Sequence, residues 1–180
     1  MAQLILINGA PGSGKSTLAA MLSSDRRLAL AIDVDIVKHA IGQWQDYMPE
    51  AGIRARQLAL AMASDHLAAG NDVVVAQFLA RQEFIHDLEA LAGRWGARWC
   101  EVILQVGEAE LGRRLAGRSA NPNRPEHAVN GPLTPPSEAT ALIRSIDALA
   151  ASRPHAVTVD AGADLTTTYR RLLEAIAAGC

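Results

Sequence analysis

Lysine is almost absent from this chain. Of seventeen basic residues only Lys15 and Lys38 are lysine, so a lysine in a demanding position marks a need for a compact ammonium that arginine's planar fork does not replace. Cysteine is equally scarce: Cys100 and Cys180 have neither metal-ligand spacing nor a disulfide framework around them. No apolar run reaches the roughly 20 residues that span a bilayer. A charge excess is missing too, since seventeen basic against nineteen acidic residues leave a net charge of −2, without the basic surplus that nucleic-acid and anionic-membrane binders usually carry. The opening Met-Ala-Gln leads straight into a strand-like run with no basic leader. The expected setting is cytoplasmic and reducing, with no membrane partner; nucleic acid is a possible but disfavoured partner, and the oligomeric state is open.

What remains is globular composition, 49% hydrophobic and 20% charged over 180 residues, enough for one well-cored domain and short for two. Residues 1–180 are therefore expected to form a single domain. Strand-like runs at 3–8 (QLILIN), 28–33 (LALAID), 72–78 (DVVVAQF), 98–106 (RWCEVILQV) and 155–160 (HAVTVD) alternate with helical patterns. The helices are expected from Lys15 to about Leu22, over Val34–Val37–Ile41, through the alanine-rich stretch stopped by Gly70, and near 81–94, 108–118, 136–151 and 164–178. Five strands interleaved with helices predict an α/β fold of three layers, a parallel sheet covered on both faces, because parallel neighbours need crossover connections. The Pro/Asn/Gly-rich stretch 119–136 forbids regular structure and reads as a flap or a surface linker, giving a lid segment over about 113–136.

One segment carries chemistry. Gly9-Ala10-Pro11-Gly12-Ser13-Gly14-Lys15-Ser16 satisfies G-x-x-x-x-G-K-[ST] between a strand and a helix, and with this chain's composition a chance match is on the order of one in a thousand. Glycines let successive N–H groups curl inward at the positive end of a helix, a cradle for phosphate oxygens. Gly9 to Thr17 are thus the expected ATP-binding loop, with Lys15 reaching the β- and γ-phosphates and Ser16 a ligand of Mg²⁺.

A phosphate loop serves kinases, switches and regulators alike, and other residues must choose. Asp33 and Asp35 stand where the second strand passes into a helix, near the strands' carboxyl ends where doubly wound sheets bind ligands. A carboxylate there can take the proton of an attacking hydroxyl or hold water on the metal; the plainer alternative is a helix N-cap. Asp35 is expected to be the base and Asp33 a metal partner, with Lys38 on the same helical face. Arg114 and Arg118, four apart, project from one face before the flap, where guanidinium groups can neutralise a polyphosphate or merely line an exposed face.

The order of these segments, the phosphate loop, "DVDIVK", "RRLAGR" and "VTVDAG", resembles the small P-loop kinases, and is similar to the 5′-kinase domain of polynucleotide kinases and to chloramphenicol phosphotransferase. That resemblance implies a P-loop NTPase fold with strand order 2-3-1-4-5. It implies Asp35 as general base, Lys38 as its assistant, Arg114 and Arg118 on the ATP phosphates, and the turn from Asp160 to Ala163, with Asp160 and Gly162 in it, against adenine. Two residues depart from the pattern: Gln77 stands where several relatives place a metal-holding acid, and Lys38 where arginine would give bidentate phosphate recognition.

The expected activity is ATP-dependent transfer of a γ-phosphate to a hydroxyl of a small molecule, a metabolite or antibiotic. A polynucleotide or nucleoside 5′-hydroxyl kinase, and an NTPase or regulatory module without acceptor, are the alternatives. Trp44, Tyr47, Met48, Arg54, Gln77 and Phe78 are expected around the acceptor, although the aromatics could equally cover the core, and Arg54 and Arg56 could simply decorate their helix.

Overall fold

The computed structural model of the protein describes residues 1–120 and 135–178. Strand β1 (Gln3–Gly9) leads into helix α1 (Lys15–Ser24), then β2 (Leu30–Asp33), α2 (Val34–His39) and α3 (Met48–Ala68). Next come β3 (Val73–Gln77), α4 (Glu83–Arg94), β4 (Arg98–Gln105) and α5 (Glu108–Ala120). After a 3₁₀ turn (Pro136–Glu138) the chain continues through α6 (Ala139–Ser152), β5 (Val157–Asp160) and α7 (Leu165–Ala177). The five strands are all parallel, in the order β2-β3-β1-β4-β5, which is the expected α/β topology. Most of the expected flap, residues 121–134, lies outside the described residues. No helix among the described residues is long and apolar enough to cross a membrane.

The central strand explains the layering. Leu4, Ile5, Leu6 and Ile7 are all fully buried, because alternate side chains of a strand leave opposite faces and both faces here are covered. Ile5 and Ile7 join the cluster formed by Leu18 and Leu22 of α1, Leu111 and Leu115 of α5, and Leu172 and Ile176 of α7. Leu4 and Leu6 join the opposite cluster with α3 and α4. Helix α3 buries Ala51, Ala55, Ala59, Ala63 and Leu67, a stripe at four-residue spacing whose small side chains let the helix axis approach the sheet closely. Gly70 ends that helix region with φ +79°, as its position predicts.

Three expectations change. The second strand starts at Leu30 rather than at residue 28, because Leu28 adopts φ +54° and faces solvent. Helix α2 stops at His39, since Gln43 at φ +56° turns the chain back, yet Ile41 still packs against the core. Cys100 is buried and disulfide-bonded where no disulfide framework was expected; the other cysteine, Cys180, lies outside the described residues.

One polar element crosses the α4 face of the sheet. Glu101 of β4, with a side chain only 2% exposed, accepts two hydrogen bonds from Arg153 at 2.7 and 2.9 Å, and Arg153 also donates to Glu89 of α4 at 2.9 Å. The bond to Glu101 holds the Arg153 guanidinium in its charged form above its ordinary range. Removing one member of such a pair leaves the other charge buried, which costs more than the pair contributes. Arg153→Ala is expected to lower unfolding stability by about 3 kcal/mol in urea titration; a loss under about 1 kcal/mol would contradict this bridging role.

Candidate active site

The phosphate loop is built by steric necessity. A Cβ on Gly9 would stand 2.6 Å from Ser13 Oγ and 3.0 Å from Leu104 Cβ, so the end of β1 can pack against β4 only as glycine. Gly12 and Gly14 take φ +87° and +94°, a region that side chains disfavour. The Ser13 N–H donates to the Ala10 carbonyl at 3.0 Å, closing a tight turn, and Leu18 N–H to Gly14 O at 3.0 Å opens α1. Gly14 caps that helix without any side-chain hydrogen bond, so first-turn amides are left for a ligand. Ser13 Oγ is buried with no partner among the described residues. These features fit a polyphosphate, whose oxygens are the acceptors that the loop lacks.

Lys15 Nζ reaches back to the Ala10 carbonyl at 3.3 Å. Desolvation lowers its pKa from 10.5 to about 8, against the raising influence of Asp35 and Asp33, while Arg118 adds a further lowering. Two carboxylates and a guanidinium therefore surround this ammonium electrostatically. Ser16 donates its hydroxyl to Asp33 Oδ2 at 2.6 Å, and the other oxygen, Oδ1, accepts the Asp35 N–H at 3.0 Å. Asp33 is thus the N-cap of α2, and the cap alternative falls on it rather than on Asp35.

That leaves the Asp35 carboxylate available. It accepts from Lys38 Nζ at 3.2 Å, and Lys38 lies 5.1 Å from the Trp44 ring centroid while Trp44 stacks on His39 with centroids 4.2 Å apart. The α2 lysine is therefore held by a carboxylate and an aromatic face together. Tyr47 and Met48 are exposed and do not cover the core. Phe78 packs toward the α1 side, and Arg54 is exposed and bonded to Gln57 of its own helix.

Arg114 and Arg118 go to different places. Arg118 is close enough to both Lys15 and Asp35 to shift or feel their charge. Arg114 instead donates to the carbonyls of Ala161 and Ala163 at 2.9 and 3.2 Å, braced by Glu110, and so ties α5 to the turn after β5. In that turn the Gly162 N–H bonds Asp160 Oδ1 at 2.9 Å and holds the carboxyl below its usual range, with Arg171 on the other oxygen at 2.7 Å. Asp160 and Gly162 thus form a preformed turn beside the loop-facing helix.

Asn8 escapes a reading of sequence patterns. It is fully buried at the end of β1; its Oδ1 accepts the N–H groups of Gly9 and Leu79 at 2.8 and 2.9 Å, and its Nδ2 donates to Leu79 O at 3.0 Å. It therefore clamps the phosphate loop to the segment after β3. The only signal was a polar residue closing an apolar strand. For a metal, no group of three His, Cys, Asp or Glu is present among the described residues. Ser16 and Asp33 offer two hard oxygen donors side by side, which fits an ion such as Mg²⁺ that completes its shell with phosphate and water.

A family model described as AAA domain matches residues 4–133, well over half of the chain, and the chain belongs to that family of P-loop proteins. Within it, the fold is that of the small P-loop kinases. A gluconokinase from Sinorhizobium meliloti 1021 superposes with a TM-score of 0.66 at 20% identity, covering 98% of this chain and 92% of its own. A protein of Chloroflexus aurantiacus j-10-fl does so at 0.66 and 17%, covering 99% and 98%. No curated protein matches the sequence significantly.

The buried ammonium predicts a pH effect. Below about pH 8 free Lys15 is charged; above it the group loses a proton that a bound triphosphate would restore, so binding takes up a proton and affinity falls with rising pH. Nucleotide titration is expected to show constant affinity from pH 6.5 to 7.5 and a decline approaching tenfold per unit beyond about pH 8.5. Affinity that is flat to pH 9.5 would contradict the assignment.

Proposed function

We propose that the protein is an ATP-dependent kinase that transfers the γ-phosphate to a hydroxyl of a small molecule. The observation that carries this reading is the Asp35 carboxylate, relieved of capping by Asp33 and set in the field of Lys15 and Arg118 at the mouth of the phosphate loop. A nucleotide-binding regulator needs no such carboxylate.

Asp35 receives the proton of the attacking alcohol while the alcohol oxygen bonds to the γ-phosphorus and the bond to the ADP oxygen breaks. Lys38 donates a hydrogen bond to that carboxylate and aims it. Lys15, the amides of residues 12–17 and Arg118 face the charge that develops on the transferring group. Mg²⁺, when bound, would be held by Ser16 and Asp33 and would neutralise phosphate charge. Arg114 positions the turn at Asp160 to Ala163 against which adenine would rest. Fold-level likeness to a gluconokinase accords with a small hydroxylated acceptor.

The test is ADP release against sugars, nucleosides, oligonucleotides and hydroxylated antibiotics. Asp35→Asn is expected to lose roughly 100-fold or more of transfer while binding ATP about as tightly as the wild type; equal activity would remove its role as base. Lys15→Ala should abolish productive ATP binding in calorimetry, and Arg118→Ala should lower turnover more than affinity. A pure affinity loss would make Arg118 a binding residue only.

A further inference from the structure

Resting on the kinase reading, we propose that Gln77 is an acceptor-binding residue whose carboxamide oxygen takes a hydrogen bond from a second hydroxyl of the substrate, so that the enzyme selects 1,2-diols and related polyols. Gln77 is the last residue of β3, one step beyond Ala76, which lies beside Asp33 in the β2–β3 register. It is therefore next to the strand end that launches Asp35, at the carboxyl edge of the sheet where ligands of this topology bind. Helices α2 and α3 both pack against β3; α2 carries Asp35, and the connection between the two helices carries Trp44 and Tyr47.

The side-chain oxygen is the telling atom. Gln77 Oε1 is buried and has no hydrogen-bond partner among the described residues. A desolvated amide carbonyl without a donor is costly in a folded chain, and a leucine or methionine would have closed the end of the strand without that cost. Such a group persists where a ligand supplies the missing donor. In an alcohol-phosphorylating site the reacting hydroxyl gives its proton to Asp35, so the donor to Gln77 must be another hydroxyl close to it. The residue is uncharged and therefore recognises without competing for the metal.

Two measurements test this on the full chain. In thermal unfolding without ligand, Gln77→Met is expected to raise Tm by about 2–4 °C, because an unmade buried hydrogen bond is removed; a fall in Tm would show that the amide is satisfied in the free protein and would overturn the proposal. In kinetics with Mg²⁺-ATP, the wild type is expected to prefer glycerol to 1,3-propanediol and D-ribose to 2-deoxy-D-ribose by at least roughly tenfold in kcat/KM. In Gln77→Met these ratios should collapse toward one while the nucleotide Kd stays within about twofold. Unchanged ratios in the variant, or a shifted Mg²⁺ requirement in their place, would overturn the proposal. Phosphorylation only of alcohols that lack a neighbouring hydroxyl would also overturn it. Should the wild type phosphorylate nothing at all, the kinase reading fails, and the melting arm still decides whether the Gln77 oxygen awaits a donor.

Discussion

Everything in the site depends on how closely β1 and β4 come together at Gly9. The strand is buried on both faces, so its path is fixed by the core, and at its last residue there is no room for a Cβ beside Leu104. The chain can then only turn through glycines of positive φ and enter α1 with its amides unpaired by side chains. Asn8 locks this junction to the segment after β3 with two hydrogen bonds to Leu79 and accepts a third from Gly9 of the loop, so the loop is held from both sides before any ligand arrives. A preorganised concavity of this kind binds phosphate without the cost of arranging dipoles during the reaction.

The same junction governs the electrostatics. Lys15 is buried by the loop it belongs to, and that burial depresses its pKa despite two nearby carboxylates. Desolvation outweighs attraction here because neither carboxylate forms a contact ion pair with it; Asp33 bonds Ser16 and the Asp35 amide, and Asp35 bonds Lys38. A polyphosphate would supply the missing countercharge, so the free site is poised to gain from binding.

The sheet was legible in the sequence because its inner strands β1 and β3 are buried on both faces and appear as nearly unbroken apolar runs. Periodicity located the helices to within a few residues, and failed at Leu28 and Gln43, where left-handed backbone is carried by residues other than glycine. The phosphate loop was legible because its chemistry demands particular residues at fixed spacing. Less visible was the division of labour. Spacing placed Asp33 and Asp35 together but could not tell cap from base, since both precede or open a helix. It put Arg114 and Arg118 on one helical face, yet the turn after β5, more than forty residues away, captures the first of them. Asn8 was invisible for the same reason: its partner Leu79, seventy-one residues away, lies in the segment that follows β3.

The most direct trial is a crystal structure with magnesium and a non-hydrolysable ATP analogue. The account predicts phosphate oxygens on the amides of residues 12–17, Lys15 Nζ between the outer two phosphates, and the Asp35 carboxylate facing the terminal phosphorus from the acceptor side. A triphosphate bound elsewhere, or one in the loop with Asp35 turned away behind Lys38, would contradict it.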